Sequence, residues 1–234
     1  MSWQGEFHFG DWWGAFRGAA GDNHPHAHAS LQICLAHQKD VVLADAEGRT
    51  LSGRALIVPP KVTHVLEKNE VLTLILIEPQ TALARTLLEA VGTSEIIELP
   101  QGLVDQIDIH APLSSCLDQL SRTLPTPVSE IDARLQKAID HLESLPEDES
   151  LASIAATCGL SESRLRALAV EQLAVPLSKW IIWRKIRRAC QALASGSDLA
   201  DAALVGGFSD QAHFTRTMKQ VMGITPGIAA GPLQ

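Results

Sequence analysis

The stretch Gly206-Gly207-Phe208-Ser209-Asp210-Gln211-Ala212-His213-Phe214-Thr215-Arg216-Thr217-Met218-Lys219, closing with Gly223-Ile224-Thr225-Pro226, decides how the C-terminal half of this chain is read. Before it, residues 199–205 form a pattern of small residues at helical spacing that runs into two glycines. Ser209 and Asp210 are placed to cap a second helix. On that helix Phe214 and Met218 face a core, while Gln211, His213, Arg216 and Lys219 face outward. Two short helices across a Gly turn make a helix-turn-helix, whose second helix has the geometry that lies in a DNA major groove.

The pattern occurs twice. Residues 151–161 (LASIAATCGLS) repeat the layout of residues 199–209 (LADAALVGGFS): a small contact residue, Ala155 or Ala203, then Gly, an apolar residue and a capping Ser. One helix over 177–195, carrying Trp180, Ile181, Ile186, Ala189 and Leu193, is expected to join the units. At 1.5 Å per residue its ~19 residues span about 28 Å. Neighbouring major-groove segments on one face of B-DNA are roughly 34 Å apart, so one chain could place two recognition helices without dimerising. Upstream, Ile131, Leu135, Ala138, Ile139 and Leu142 form an apolar stripe that Pro146 and an acidic loop end. The breaker Pro125-Thr126-Pro127 is the best linker candidate.

Residues 1–80 read as β. Short apolar or β-rich runs at 31–35, 41–44, 55–58 and 71–77 are separated by Glu47-Gly48, Ser52-Gly53 and Pro59-Pro60. Strands at that spacing suggest a barrel or sandwich. The period then turns helical over 81–91 and 111–124, where Leu113, Leu117, Leu120 and Leu124 form a stripe. That stripe either builds a dimer or packs on its own barrel. Six of the chain's ten aromatics (Trp3, Phe7, Phe9, Trp12, Trp13, Phe16) stand at the start, as barrel cover or as the lid of a ligand pocket.

The net charge of −8 is unevenly spread: −12 over residues 1–150 and +4 over residues 151–234. The acid thus lies away from the helix-turn-helix segment, and the modest +4 implies moderate, salt-sensitive affinity for phosphates. Cys34, Cys116, Cys158 and Cys190 are scattered with no CxxC pair, which suits free thiols in a reducing compartment. No apolar run approaches the ~20 residues that cross a bilayer, and the start lacks the pattern of a signal peptide, so a cytoplasmic protein without a membrane partner is expected.

The C-terminal hundred residues resemble the DNA-binding domain of AraC/XylS-type transcription regulators. The resemblance rests on Ile154-Ala155 with Gly159-Leu160-Ser161, on Arg188-Ala189 with Leu193, and above all on residues 207–219 with Gly223-Ile224-Thr225-Pro226. The first unit departs from the family at Ala167, Ala169 and Val170, where a basic residue, an aromatic and a Lys are usual. The resemblance implies that Ser163, Arg164 and Arg166 face DNA from the first unit, and Gln211, Ala212, His213 and Arg216 from the second. Arg pairs bidentately with guanine and Gln with adenine. Lys219 and the run Arg184-Lys185-Arg187-Arg188 suit phosphates or intramolecular ion pairs, and Trp180 and Trp183 suit core and interface.

Histidine is dense in residues 24–35 (HPHAHASLQICL). Read as a strand, one face carries His26, His28, Ser30, Gln32 and Cys34. With Gly53, Pro59-Pro60-Lys61 and His64, this stretch resembles the two halves of the cupin signature, HxHxxxE and GxxxxxPxGxxH. His26, His28 and His64 match its histidines; Gln32 replaces its Glu and Lys61 its Gly. The resemblance implies a divalent cation, zinc, nickel or iron, or else a small-molecule pocket that needs no cofactor, as AraC-type barrels commonly have. An amide is a weaker ligand than a carboxylate, so the metal-free pocket is the favoured reading, with purely structural histidines as the third.

The fold class expected is α+β: a cupin-like barrel (1–80), a helical linker with dimerisation helices (81–127) and an all-α double helix-turn-helix domain (128–234). The function expected is a non-enzymatic, effector-sensing transcription regulator. Its partners would be double-stranded DNA, a small-molecule effector, a second copy of the chain and RNA polymerase. A metal-dependent cupin enzyme with an appended DNA-binding domain is the alternative; neither a nucleophile motif nor a phosphate loop points to other chemistry.

Overall fold

A computed structural model of the protein describes residues 3–92, 94–123, 130–144 and 149–233. The linker residues Pro125-Thr126-Pro127, the stripe residue Leu124 and Pro146 lie outside these. The N-terminal half contains β1 (Gln4–Phe9), β2 (Trp13–Ala20), β3 (Leu31–Ala36), β4 (Val41–Asp45), β5 (Thr50–Gly53), β6 (Ala55–Val58), β7 (His64–Leu66), β8 (Asn69–Ile77), α1 (Ala82–Val91), β9 (Ile97–Glu98), α2 (Gln101–Val104) and α3 (Leu113–Thr123). A six-stranded sheet of order β1-β2-β8-β3-β6-β9 faces a three-stranded sheet of order β5-β4-β7, and the ladders are antiparallel. β9 adds to this sheet from beyond residue 80.

Alternation along the central strands makes two cores. Leu31, Ile33 and Leu35 of β3, with Ile75 and Ile77 of β8, pack under α1 and α3. Cys34, Leu56, Leu72, Leu74 and Leu76 point into the barrel. Leu113, Leu117 and Leu120 are buried against the chain's own sheet, so the leucine stripe belongs to the barrel rather than to a partner. Each such leucine contributes about 1.5–3 kcal/mol through burial.

β3 covers the run marked at 31–35, but the strand reading that extended back to His26 does not hold, since His26 and His28 precede the strand. Pro25 has no N–H to give a ladder, and the carbonyls of His24 and Ser30 accept from imidazole rings instead. His26 makes only an isolated bridge to His64.

The C-terminal half is helical: α4 (Ala133–Ser144), α5 (Leu151–Thr157), α6 (Glu162–Leu173), α7 (Leu177–Ala194), α8 (Leu199–Val205), α9 (Gln211–Met222) and α10 (Pro226–Leu233). Ala155 and Ala203 are fully buried where each pair of helices meets. Ser161 caps α6 by accepting from the Arg164 N–H at 3.2 Å, and Asp210 caps α9 by accepting from the His213 N–H at 2.7 Å. The 18 residues of α7 connect the units over about 27 Å.

The halves share one core, since Trp180 and Trp183 of α7 join the barrel cluster. Glu78, fully buried after β8, receives the guanidinium of Arg187 at 2.8 Å and that of Arg184 at 3.0 Å. Arg184 also pairs with Glu143 of α4 at 3.1 Å and lies over the Trp180 ring. The indole N–H of Trp180 donates to Gln80 Oε1 at 3.0 Å. Arg184 and Arg187 of the basic run thus form intramolecular ion pairs, and both tryptophans serve as interface.

Candidate functional site

The recognition helices expose the side chains singled out in sequence. On α9, Gln211, Ala212, His213, Arg216 and Lys219 are exposed, while Phe214 and Met218 are buried against α7 and α8. His213 approaches the Ser209 hydroxyl through Nδ1 at 3.1 Å and packs edge-on against Phe208. Lys185 of α7 donates to the Gly207 carbonyl at 2.8 Å and so braces the turn ahead of α9. The Asp210 carboxyl is held below its ordinary value, chiefly by the His213 N–H it caps and in part by Arg216.

On α6, Ser163, Arg164 and Arg166 are also exposed. Both arginines there are engaged by their own helix: Arg164 with Glu171 at 3.0 Å and Arg166 with Glu162 at 2.7 Å. Contact with a phosphate or base would have to displace those carboxylates. Arg216 makes no ion pair of that kind among the described residues.

The second constellation is the histidine cluster. His26 and His64 face each other across the isolated bridge, and His28 stands beside both, with ring centroids 4.2–5.8 Å apart. One ring nitrogen from each lies within 4.8 Å of the others. The Nδ1 atoms have carbonyl partners: His24 for His26 (2.8 Å), Ser30 for His28 (2.8 Å) and Val62 for His64 (3.0 Å). A carbonyl only accepts, so each Nδ1 carries the proton and each Nε2 is left with its lone pair.

His64 Nε2 is buried with no hydrogen-bond partner among the described residues. His28 Nε2 lies 3.0 Å from the Gln32 amide. A neutral ring protonated at Nδ1 requires that amide to turn its NH2 toward the ring and its oxygen toward Cys34, 3.3 Å away.

Burial keeps the cluster neutral. It lowers His26 to about 4, helped by the neighbouring His28. His28 falls for the same reason, and His64 falls well below its ordinary value through burial and then its two neighbours. Burial pushes the Cys34 thiol up to about 12, which makes it a packing group rather than a thiolate ligand.

Lys61, at the Gly position of the cupin pattern, retains a left-handed φ of 68°. Its N–H donates to the His28 carbonyl at 2.9 Å, which fixes the loop that delivers His64.

The cluster opens into a cavity between the halves. Trp3, Phe7 and Phe16 form one side, His26, Gln32 and His64 another, and Met222, Ile224 and Ala229 of the helix-turn-helix domain a third. Its volume is about 40 Å³, room for about three waters. No lysine or arginine is among its described lining residues. The aromatic N-terminus thus both covers the barrel and walls the cavity. The sequence reading missed the wall from α9 and α10, because no local pattern links Met222 to His26.

Residues 154–229 match a family profile described as a helix-turn-helix domain. No curated protein matches the sequence. Among solved structures, ToxT from Vibrio cholerae has a similar fold, with a TM-score of 0.61 at 10% identity, covering 96% of this chain and 99% of that one. An apo ToxT variant from the same organism gives 0.64 at 11% identity, with coverage of 96% and 99%. ToxT with an unsaturated fatty acid bound gives 0.60 at 10% identity, with coverage of 95% and 96%. The chain therefore carries a helix-turn-helix domain at residues 154–229 behind an antiparallel β-barrel, in an overall fold similar to that of ToxT.

Proposed function

We propose that the protein is a cytoplasmic, sequence-specific transcription regulator that reads double-stranded DNA through α6 and α9. It senses a small ligand in the cavity between barrel and α9. One observation carries this reading: α9 presents Gln211, His213 and Arg216 to solvent while its C-terminal end closes the cavity. A ligand larger than a few waters that displaces Met222, the last residue of α9, acts on the helix that bears the outward side chains.

The cavity's chemistry constrains the effector. The Nε2 lone pairs of His26 and His64, with apolar walls, favour an apolar body with a hydrogen-bond-donating head. A bare carboxylate, such as that of the fatty acid bound by ToxT, would meet acceptors and no lysine or arginine. The small, domain-walled cavity supports sensing over turnover, which is why the enzyme reading ranks second. Dimer formation and contact with RNA polymerase belong to the same proposal; because the leucine stripe is spent on the barrel, a dimer would need another surface.

A bound cation is a second reading, favoured by the orphaned Nε2 of His64. Neutral imidazoles whose Nδ1–H groups are already held by carbonyls match the arrangement usual for protein metal ligands. His26, His28 and His64 would hold zinc, nickel or iron through Nε2, an ion on His28 displacing the Gln32 NH2 so that the amide can turn its oxygen to the site. Such an ion would add a Lewis-acidic centre able to hold an anionic effector head.

Mobility-shift titration of the full chain against genomic fragments at two salt concentrations tests the DNA reading. Selective binding that weakens with salt is expected. Indifference to sequence at both concentrations would remove the regulator reading.

A further inference from the structure

The histidine cluster touches the second recognition helix at one point. Gly223, the left-handed C-cap of α9 with φ 71°, lies against the His26 imidazole. A Cβ added there would come within 2.5 Å of the His24 carbonyl oxygen and 2.6 Å of His26 Nδ1. The His24 N–H donates to the Gly223 carbonyl at 2.9 Å. The His24 carbonyl in turn accepts from His26 Nδ1–H at 2.8 Å. Two hydrogen bonds thus run from the end of the recognition helix to an imidazole whose far nitrogen faces the cluster.

We propose that a divalent cation held by His26, His28 and His64 is coupled through His24 and Gly223 to the docking of α9 on the barrel. The proposal rests on the cation reading above. A cation on Nε2 draws electron density from the ring, makes the Nδ1–H a stronger donor to His24, and fixes the His26 rotamer on which Gly223 sits. Conversely, anything that lifts Gly223 away removes a wall and a hydrogen-bonded support from His26, and weakens its hold on the ion. Coupling of this kind is reciprocal, so DNA that favours a different placement of α9 changes cation affinity by the factor by which the cation changes DNA affinity.

The test uses the full chain, titrated with Co(II), Ni(II) and Zn(II) against a chromophoric chelator, with hydrogen exchange followed over residues 211–229. The variants are Gly223→Ala and Gly159→Ala. Gly159 is also left-handed, φ 70°, but an added Cβ there meets nothing within 4 Å, so it reproduces the backbone strain without the contact. Stoichiometric cation binding is expected, with slowed exchange in the last turn of α9. Gly223→Ala is expected to weaken binding about 10–100-fold, as loss of a metal ligand's outer support typically does, while Gly159→Ala stays within about twofold.

If the unsubstituted chain binds no cation, the cation reading and the coupling both fall. If it binds with unchanged exchange in α9, or if Gly223→Ala binds as tightly as Gly159→Ala, the coupling falls and the cation site stands. The exchange measurement needs no variant, so it decides even where Gly223→Ala does not fold.

Discussion

Single residues carry the most legible part of this protein. Gln211, His213 and Arg216 were readable as outward positions because helical periodicity and the Phe214/Met218 pair fix which side of α9 is buried. What sequence could not supply was the state of the arginines on α6, both tied to glutamates of their own helix. Exposed pairs of this type contribute little to stability. Lys61 illustrates strain at one position. Its left-handed φ suits glycine, and Lys61→Gly should stabilise the protein by about 1 kcal/mol, read as a higher urea midpoint. A lower midpoint would mean that the Lys61 side chain contributes more than its backbone costs.

Elements were legible wherever an apolar period was unbroken. α7, α9 and β8 appear where expected, and α3 places its leucines on the barrel, which settles a choice that periodicity alone left open. The strand through His26 failed because side-chain nitrogens compete with neighbouring strands for the same carbonyls, and alternation of residue type cannot reveal that competition. Within α9 the Asp210 cap is a local energetic feature. Asp210→Ala removes the acceptor for the His213 N–H and should cost about 1 kcal/mol. Faster amide exchange should then be confined to the first turn of α9; unchanged exchange there would show that Ser209 takes over the cap.

At the scale of the whole molecule the halves are joined by a buried ionic contact that no local pattern reveals. Glu78 lies more than a hundred residues from its two arginines in sequence. Glu78→Ala leaves Arg187 without its carboxylate and Arg184 with Glu143 alone, and should lower stability by about 3–5 kcal/mol. Urea unfolding reads that loss, and a change below about 1 kcal/mol would show that water reaches the arginines.

Stability should also depend on pH through the histidine cluster. All three imidazoles protonate less readily folded than in the unfolded chain, where the ordinary value is 6.5. As pH falls from 6.5 toward about 4, the unfolded chain takes up protons that the folded one refuses. Stability is therefore full above that window and lost on the way down through it. A urea midpoint that falls between pH 7 and pH 5, less steeply in His26→Gln, is the expected behaviour; identical slopes would place the titration elsewhere.

In the proposed function α9 reads DNA sequence. The most direct measurement is the affinity of the full chain for a duplex selected from a randomised pool, compared among unsubstituted protein, Arg216→Ala and Arg164→Ala near physiological salt. Arg216→Ala should lose about 1–3 kcal/mol of binding and relax the preference at one base position, with Arg164→Ala losing less because that side chain is already paired. Equal affinity and unchanged preference in Arg216→Ala, with the protein still folded, would contradict the account.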